Sequence, residues 1–478
     1  MKDSFKYDGY WWLPETPENK IFGQLTFIPG DELTIKVQGI LNIDSDKNDI
    51  FSPDFINPQF IHGIIQDKSA IEKNVTIYKC QQTGSSMSGS GLQSSSFMGM
   101  AAFIGVHFNA VEQLEFKSIS VHLSNIEMWS NRNPITVASS DNNAGRIIQY
   151  TSQDSTWAKT DDMDVQIFFY GPITSYSFTE TTVSYETRVE ITQHEETKFE
   201  KYLETIRRLQ NFFSLAIGAA TYPIGLIGQS NANKVISENK KEIFLPIDIY
   251  YLSPSWPKQI KPIHSNEMLF TLTAIESSFE KCIQNWIKKY ELLEPAINLY
   301  FSVLYNPSNF VEVRFLSLAQ AIETYHRRLF DGKYQVDDIY RVGLYNELVK
   351  VVPKELDSDF RKSLEGRLKY GNEYSLRTRL RKVIEGVTDI LDFNFIQSKP
   401  ERAAFINKVI DTRNYWTHYT SELAEKAVQT GEERLILITQ LQLLLEVCFL
   451  NDLGFDTNIT SDLIKRSYRY RLLKSKGV

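Results

Sequence analysis

The feature that most constrains the fold is a change of hydrophobic period part-way along the chain. Up to about residue 190, apolar and polar residues alternate, the period-two pattern of half-buried strands. QLTFIPGDELTIKVQGIL (24–41) alternates on both sides of Pro29-Gly30-Asp31, as a hairpin would. NVTIYKC (74–80), SISVHLSNIEMW (118–129), DVQIFFYG (164–171) and TTVSYETRVEITQ (181–193) continue the pattern, separated by turn-rich pieces such as SSDNNAG. From about residue 266 the period becomes that of a helix. Short strands with no intervening helical pattern up to about 190, and helices from about 266, imply an α+β multidomain chain: an antiparallel β-rich sandwich or barrel-like domain, then an all-α bundle.

The expected domains are 1–265, β-rich with one helix near 198–215; 266–305, a helical connector; and 306–478, a helical bundle. The first helix carries Phe199, Tyr202, Leu203, Ile206, Leu209 and Phe213 on one face. A strand-like run, EIFLPIDIYYL (242–252), precedes the boundary. In the bundle, 310–330 places Phe315, Leu318, Ile322 and Tyr325 on one stripe, and 375–391 does the same with Leu380, Val383, Ile384 and Val387. After Ser398, Pro400 and Glu401 make a capping-box start for a helix running through Val409 and Ile410 to Arg413. The very apolar 432–453 helix should stop at Gly454.

Several function classes are excluded early. The three cysteines, Cys80, Cys282 and Cys448, are far apart, which speaks against a disulfide framework and a structural zinc site and for a reducing cytosol. No basic start followed by an apolar run marks a leader, and the uncharged stretch FFSLAIGAATYPIGLIG (212–228), shorter than a span requires and interrupted by Pro223, reads as buried core continuing a helix. A cytoplasmic protein without a membrane partner is expected. Gly89-Ser90-Gly91 lacks the lysine and hydroxyl of a phosphate-binding loop, so residues 81–99 read as a flexible surface loop.

The net charge of −7 is unevenly spread: residues 301–478 hold 27 Lys/Arg against 24 Asp/Glu. The end of the chain, 461–478, reads as one basic helix. Its Lys465, Arg466, Arg469 and Arg471 are candidate contacts for RNA, with a solvated surface helix as the competing reading.

One constellation carries chemistry: Arg413-Asn414-Tyr415-Trp416-Thr417-His418. Asn414 and His418, four apart, share a helix face. Arg413 and His418, five apart, are separated by about 140° and about 7.5 Å of rise. They converge through the arginine's reach, an irregular helix end or a second subunit. Cleavage of RNA by its own 2′-hydroxyl needs a group titrating near neutrality, for which histidine is suited, and a fixed cation on the phosphate, for which arginine is suited. Asn414 could select the imidazole tautomer. Neither a metal nor another cofactor is called for. A near-copy, Arg188 to His194, has one extra residue and lies in a strand-like run.

The segment DTRNYWTH (411–418) resembles the Arg-polar-x3-His signature of HEPN domains, with Asn414 at the polar position. RFLSLAQAIETYHRRLF (314–330) looks like the first long helix of the HEPN domain in ApeA-type anti-phage proteins, and GYWWLPETPENKIFGQLTFIPG (9–30) looks like the start of the β-rich domain that precedes it there. The resemblance implies a metal-independent endoribonuclease of abortive-infection defence, acting as a homodimer or higher homo-oligomer on host RNA, transfer RNA among its candidates, after a phage-derived trigger reaches the β-rich domain. By carry-over Arg413 and His418 would be catalytic and Asn414 supporting.

Glu323 and His326, three apart on the 310–330 helix, are possible supporting residues, the competing reading being a core histidine satisfied by Glu323. His62, His107, His122, His194 and His264 read as structural. Trp11, Trp12 and Trp129 read as core aromatics in preference to stacking platforms for a carbohydrate or capsid. The alternative function is a non-catalytic nucleotide- or RNA-binding module that signals through dimerisation.

Overall fold

The computed structural model describes residues 3–41, 56–66, 71–87, 93–139, 145–253, 256–257 and 259–477. The chain falls into two compact units, Met1–Gln284 and Asn285–Val478.

The first unit is built on one fourteen-stranded sheet. From edge to edge it runs Thr156–Lys159, Met163–Tyr176, Thr181–Lys198, Glu115–Leu123, Pro223–Gln229, Ile247–Tyr251, Ala101–Ile104, Glu72–Tyr78, Phe60–Gln66, Phe5–Trp12, Ile21–Ile28, Glu32–Val37, Gln93–Met98 and Gln81–Met87. All its pairings are antiparallel. The hairpin expected at Pro29-Gly30-Asp31 pairs Ile28 with Glu32, and Gly30 adopts the left-handed φ of +74° that its turn requires.

So many strands cannot stay flat. The ring of Tyr250 lies 4.9 Å from Phe5 and 5.2 Å from Phe27, although three strands separate Ile247–Tyr251 from Phe5–Trp12. On a flat sheet that separation would be about 19 Å, so the sheet curls strongly, as the expected sandwich or barrel-like domain requires. Helix α1 (Phe199–Ile217) packs against it. Phe199 meets Phe103 and Phe116 at 5.0 and 6.0 Å, and the Tyr202 hydroxyl donates to the carbonyl of Lys117 at 2.7 Å. Trp11, Trp12 and Trp129 are buried. His62 and His107 stack at 4.5 Å, each ring bonded to a backbone carbonyl, and burial lowers the pKa of both.

Local differences from the sequence expectations have identifiable causes. Phe212–Ile217 is buried, but the helix does not continue through 228. Gly218 caps it at φ +75°, and Pro223 opens a strand. Residues 118–129 change from strand to a short helix at Ile126–Ser130. Most of 81–99 is a strand pair, because Ser and Thr support a ladder as well as a loop; Gly89-Ser90-Gly91 lies outside the described residues. The boundary expected at 265 lies within the first unit, where Phe270 N–H donates to the Ala216 carbonyl at 3.1 Å, Arg132 pairs with Glu276, and the Gln284 amide donates to the Lys159 carbonyl at 2.7 Å.

The second unit comprises the remainder of α2 (Phe279–Tyr305), then α3 (Val311–Leu329), α4 (Ser358–Lys369), α5 (Leu376–Glu385), α6 (Lys399–His418), α7 (Gly431–Leu453), α8 (Thr457–Arg466) and α9 (Tyr468–Ser475), with shorter helical turns between them. Helices α3, α5, α6 and α7 form its centre around Phe315, Leu318, Ile322, Leu380, Val409, Leu441 and Leu444. Helix α7 is long and apolar enough to cross a membrane by length and composition, and most of it is buried in this unit. Helix α5 ends at Glu385, capped by Gly386, sooner than its apolar stripe suggests. The single basic helix expected over 461–478 is two helices, since Ser467 has extended backbone and caps α9 by accepting from Tyr470 N–H.

Candidate functional site

Helix α6 begins as its sequence dictates. The Ser398 hydroxyl accepts from Glu401 N–H at 3.3 Å, and the Glu401 carboxylate accepts from Ser398 N–H at 2.9 Å. Its buried face is Phe405, Ile406, Val409, Thr412 and Trp416. Trp416 packs edge-on against Phe315 of α3 at 5.0 Å, and the Arg434 guanidinium of α7 lies over its ring at 5.4 Å. The buried Thr412 hydroxyl accepts from Val428 N–H at 3.1 Å. Thus the chemically inert members of the motif anchor the helix end, leaving its polar members on the other faces.

Arg413 is half-buried beside this stripe, not on it. It lines a cleft of about 310 Å³ with Thr417, with Leu316, Ser317, Ala319, Gln320 and Glu323 of α3, and with Leu299 and Leu376. Among the described residues no carboxylate lies within ion-pairing distance of its guanidinium; one N–H donates to the Asn414 side-chain oxygen at 3.3 Å. A guanidinium unneutralised at the edge of a cleft is suited to an anion.

His418 is exposed at the last position of α6, and among the described residues its imidazole has no hydrogen-bond partner. The helix stays regular through it. Tyr419 N–H still reaches the Tyr415 carbonyl, and only then does Tyr419 turn left-handed at φ +52°. An irregular end is therefore not what would bring Arg413 and His418 together; the arginine's reach and a second chain remain. Asn414 is engaged by Arg413, not by the imidazole it was expected to orient.

The two supporting candidates separate. Glu323 lines the Arg413 cleft, with one carboxylate oxygen held by Arg327 at 3.0 and 3.1 Å. His326 is buried elsewhere, and its partner is Arg379, not Glu323: Nδ1 accepts from the guanidinium at 3.1 Å. Burial, with Arg379 beside it, pushes His326 down to about 4, so the ring is neutral and its proton sits on Nε2.

The four basic residues also divide. Lys465, Arg466 and Arg471 are exposed. Arg469 instead points at the buried Glu446 of α7, 2.7 Å away. Sequence reasoning missed Ser317 and Gln320, which line the cleft with Glu323. Their three-residue spacing along α3, off its apolar stripe, was the signal that could have found them. Among the described residues no three His, Cys, Asp or Glu side chains converge as metal ligands.

A curled antiparallel domain followed by a helical bundle with Arg413 and His418 on one helix is the architecture of a two-domain HEPN protein. The family model for ApeA N-terminal domain 1 matches residues 6–286, and that for the Apea-like HEPN domain matches residues 316–459. The chain belongs to this ApeA family of anti-phage HEPN proteins. No curated protein and no solved structure matches it.

Proposed function

We propose that this protein is a metal-independent endoribonuclease of abortive-infection defence that cuts host RNA at a site built from Arg413 and His418. The observation that carries the reading is the unneutralised Arg413 guanidinium in a cleft on the same helix as the exposed, unbonded His418. Membership of a HEPN family supports a nuclease role. In the reaction the substrate's 2′-oxygen attacks the adjacent phosphorus and the bond to the 5′-oxygen breaks. One proton leaves the 2′-hydroxyl and one reaches the departing 5′-oxygen, giving a 2′,3′-cyclic phosphate and a 5′-hydroxyl. His418 moves a proton, and Arg413, held by Asn414, stabilises the charge that builds on the phosphate. Because a regular helix sets the two about 140° apart, the working unit is a homodimer in which the histidine of one copy serves the arginine of the other. The protein acts in the cytoplasm, its β-rich domain receiving the phage-derived trigger, and transfer RNA is the first substrate to test.

Arg413→Ala and His418→Ala should each lower cleavage at least 100-fold, the scale of a lost general acid–base or charge-stabilising group, with unchanged thermal melting. Cleavage should survive excess EDTA. Full activity of both variants would refute the reading. RNA binding by the wild type without cutting would favour a non-catalytic signalling module instead.

A further inference from the structure

The cleft beside Arg413 is lined by chemically different residues from two helices. Arg413 and Thr417, four apart on α6, supply a cation and a hydroxyl; Gln320 and Glu323, three apart on α3, supply an amide and a carboxylate. Leu316 and Leu376 add apolar lining. At about 310 Å³ the space is at the small end of ligand pockets, which run from about 300 to 1,000 Å³. The Glu323 carboxylate is mostly buried and fixed in direction. Arg327 binds its Oε1 through Nε at 3.1 Å and Nη2 at 3.0 Å, while among the described residues Oε2 has no partner.

A fixed carboxylate accepts hydrogen bonds and donates none. It favours a ligand edge with two adjacent N–H donors and disfavours one that places a carbonyl or ring-nitrogen lone pair beside a donor. Of the four RNA bases, guanine alone offers two neighbouring donors, N1–H and the 2-amino group. Adenine and cytosine pair one amino group with an acceptor nitrogen, and uracil flanks its single N–H with two carbonyls. Reading the Watson–Crick edge of an unstacked base is how proteins choose among single-stranded RNA sequences. We propose that this cleft is a guanine-binding subsite in which Glu323 reads N1–H and the 2-amino group while Arg413 takes that nucleotide's phosphate. Its placement at the cut rests on the ribonuclease reading; its preference for guanine does not.

The test uses the full-length protein and measures, by calorimetry, binding of guanosine, adenosine and inosine 3′-monophosphates, which carry no 5′-oxygen leaving group and so are not cleaved. Guanosine monophosphate should bind at least tenfold more tightly than adenosine monophosphate. Inosine monophosphate, which lacks only the 2-amino group, should fall between them. Adding Glu323→Gln should bring all three within about twofold of one another. Equal binding of the three probes, absence of binding, or a guanine preference that survives Glu323→Gln would overturn the proposal. If Glu323→Gln fails to fold, the guanosine–inosine comparison in the parent protein decides, because it needs no change at Glu323. Mapping RNA ends after wild-type cleavage separates the two readings. Cutting with no preference for guanosine overturns the subsite's placement at the cut and leaves the ribonuclease. Guanine binding with no cutting leaves the subsite and removes the ribonuclease.

Discussion

Arg469→Ala is expected to damage the fold of the helical unit and to spare RNA binding, although Arg469 lies in the most basic part of the sequence. Its guanidinium donates to Oε1 of Glu446 at 2.7 Å, and the Tyr300 hydroxyl donates to the same oxygen at 2.7 Å. The Glu446 side chain is 1% exposed and that of Arg469 16%, so solvent screens the pair weakly. Breaking such a pair by removing one partner leaves a buried charge uncompensated and costs about 3–5 kcal/mol. A third group orders the variants. The partly buried Arg314 on α3 has a buried Nε that among the described residues has no hydrogen-bond partner, and burial together with the charge of Arg469 pulls its pKa down. Removing Arg469 therefore relieves that repulsion on Arg314. Removing Glu446 leaves that repulsion in place and takes away the carboxylate with which Arg469 pairs.

Glu446→Ala should accordingly destabilise more than Arg469→Ala, and Tyr300→Phe, which deletes one hydrogen bond to a charged acceptor, by about 1.5–3 kcal/mol. Urea denaturation followed by far-ultraviolet circular dichroism reads the loss, and a double-mutant cycle over Glu446 and Arg469 isolates their coupling. The counterpart assay is RNA affinity against salt. Arg466→Ala, at an exposed site, should reduce the log–log slope by about 0.7–1 if it meets a phosphate, whereas Arg469→Ala should leave the slope unchanged. A loss of stability under about 1 kcal/mol for Arg469→Ala, together with a reduced salt slope, would refute this reasoning and return Arg469 to the RNA-facing surface.

Three further outcomes are expected. Trp416→Ala should destabilise the helical unit by about 3–5 kcal/mol, since it removes the contacts with Phe315 and Arg434, and should lower cleavage with it, whereas Trp416→Phe should retain most of both in paired melting and cleavage assays. His326 has a folded pKa near 4 against 6.5 for a free ring, so the unfolded chain binds the proton first as pH falls. Stability should therefore be full above about 6.5 and decline between about 6.5 and 4, by up to about 3 kcal/mol, and His326→Gln should flatten that part of a pH series of urea melts. Gly332→Ala should destabilise by at least about 1–2 kcal/mol for its left-handed backbone alone, at φ +62°, and by more because its Cβ would run into the buried Arg379 guanidinium; a melting point unchanged from wild type would contradict this.

What the sequence could and could not reveal follows from the range over which each signal acts. Alternation in 24–41 and the Ser398–Glu401 capping box are local, and both elements formed where their residues placed them. Alternation reports which face of a strand is buried but not which strand lies beside it. The curl that brings Tyr250 to Phe5 was therefore not legible, since it joins residues at opposite ends of the first unit's sequence. The Arg413 cleft shows the same division. Helical spacing sets Asn414 beside His418 and Arg413 about 140° from it, while the lining from α3 depends on a helix about ninety residues earlier. Reading 461–478 as one helix groups Arg469 with Lys465 and Arg466 because it assumes one continuous phase to the end. Ser467, with ψ of 148°, breaks that phase, so Lys465 and Arg466 stay in solvent while Arg469 turns toward Glu446. Counting charges along a segment therefore finds the basic element but not which of its members are available to a polyanion. That choice is made by where the helix restarts and by whether a buried carboxylate waits across the core.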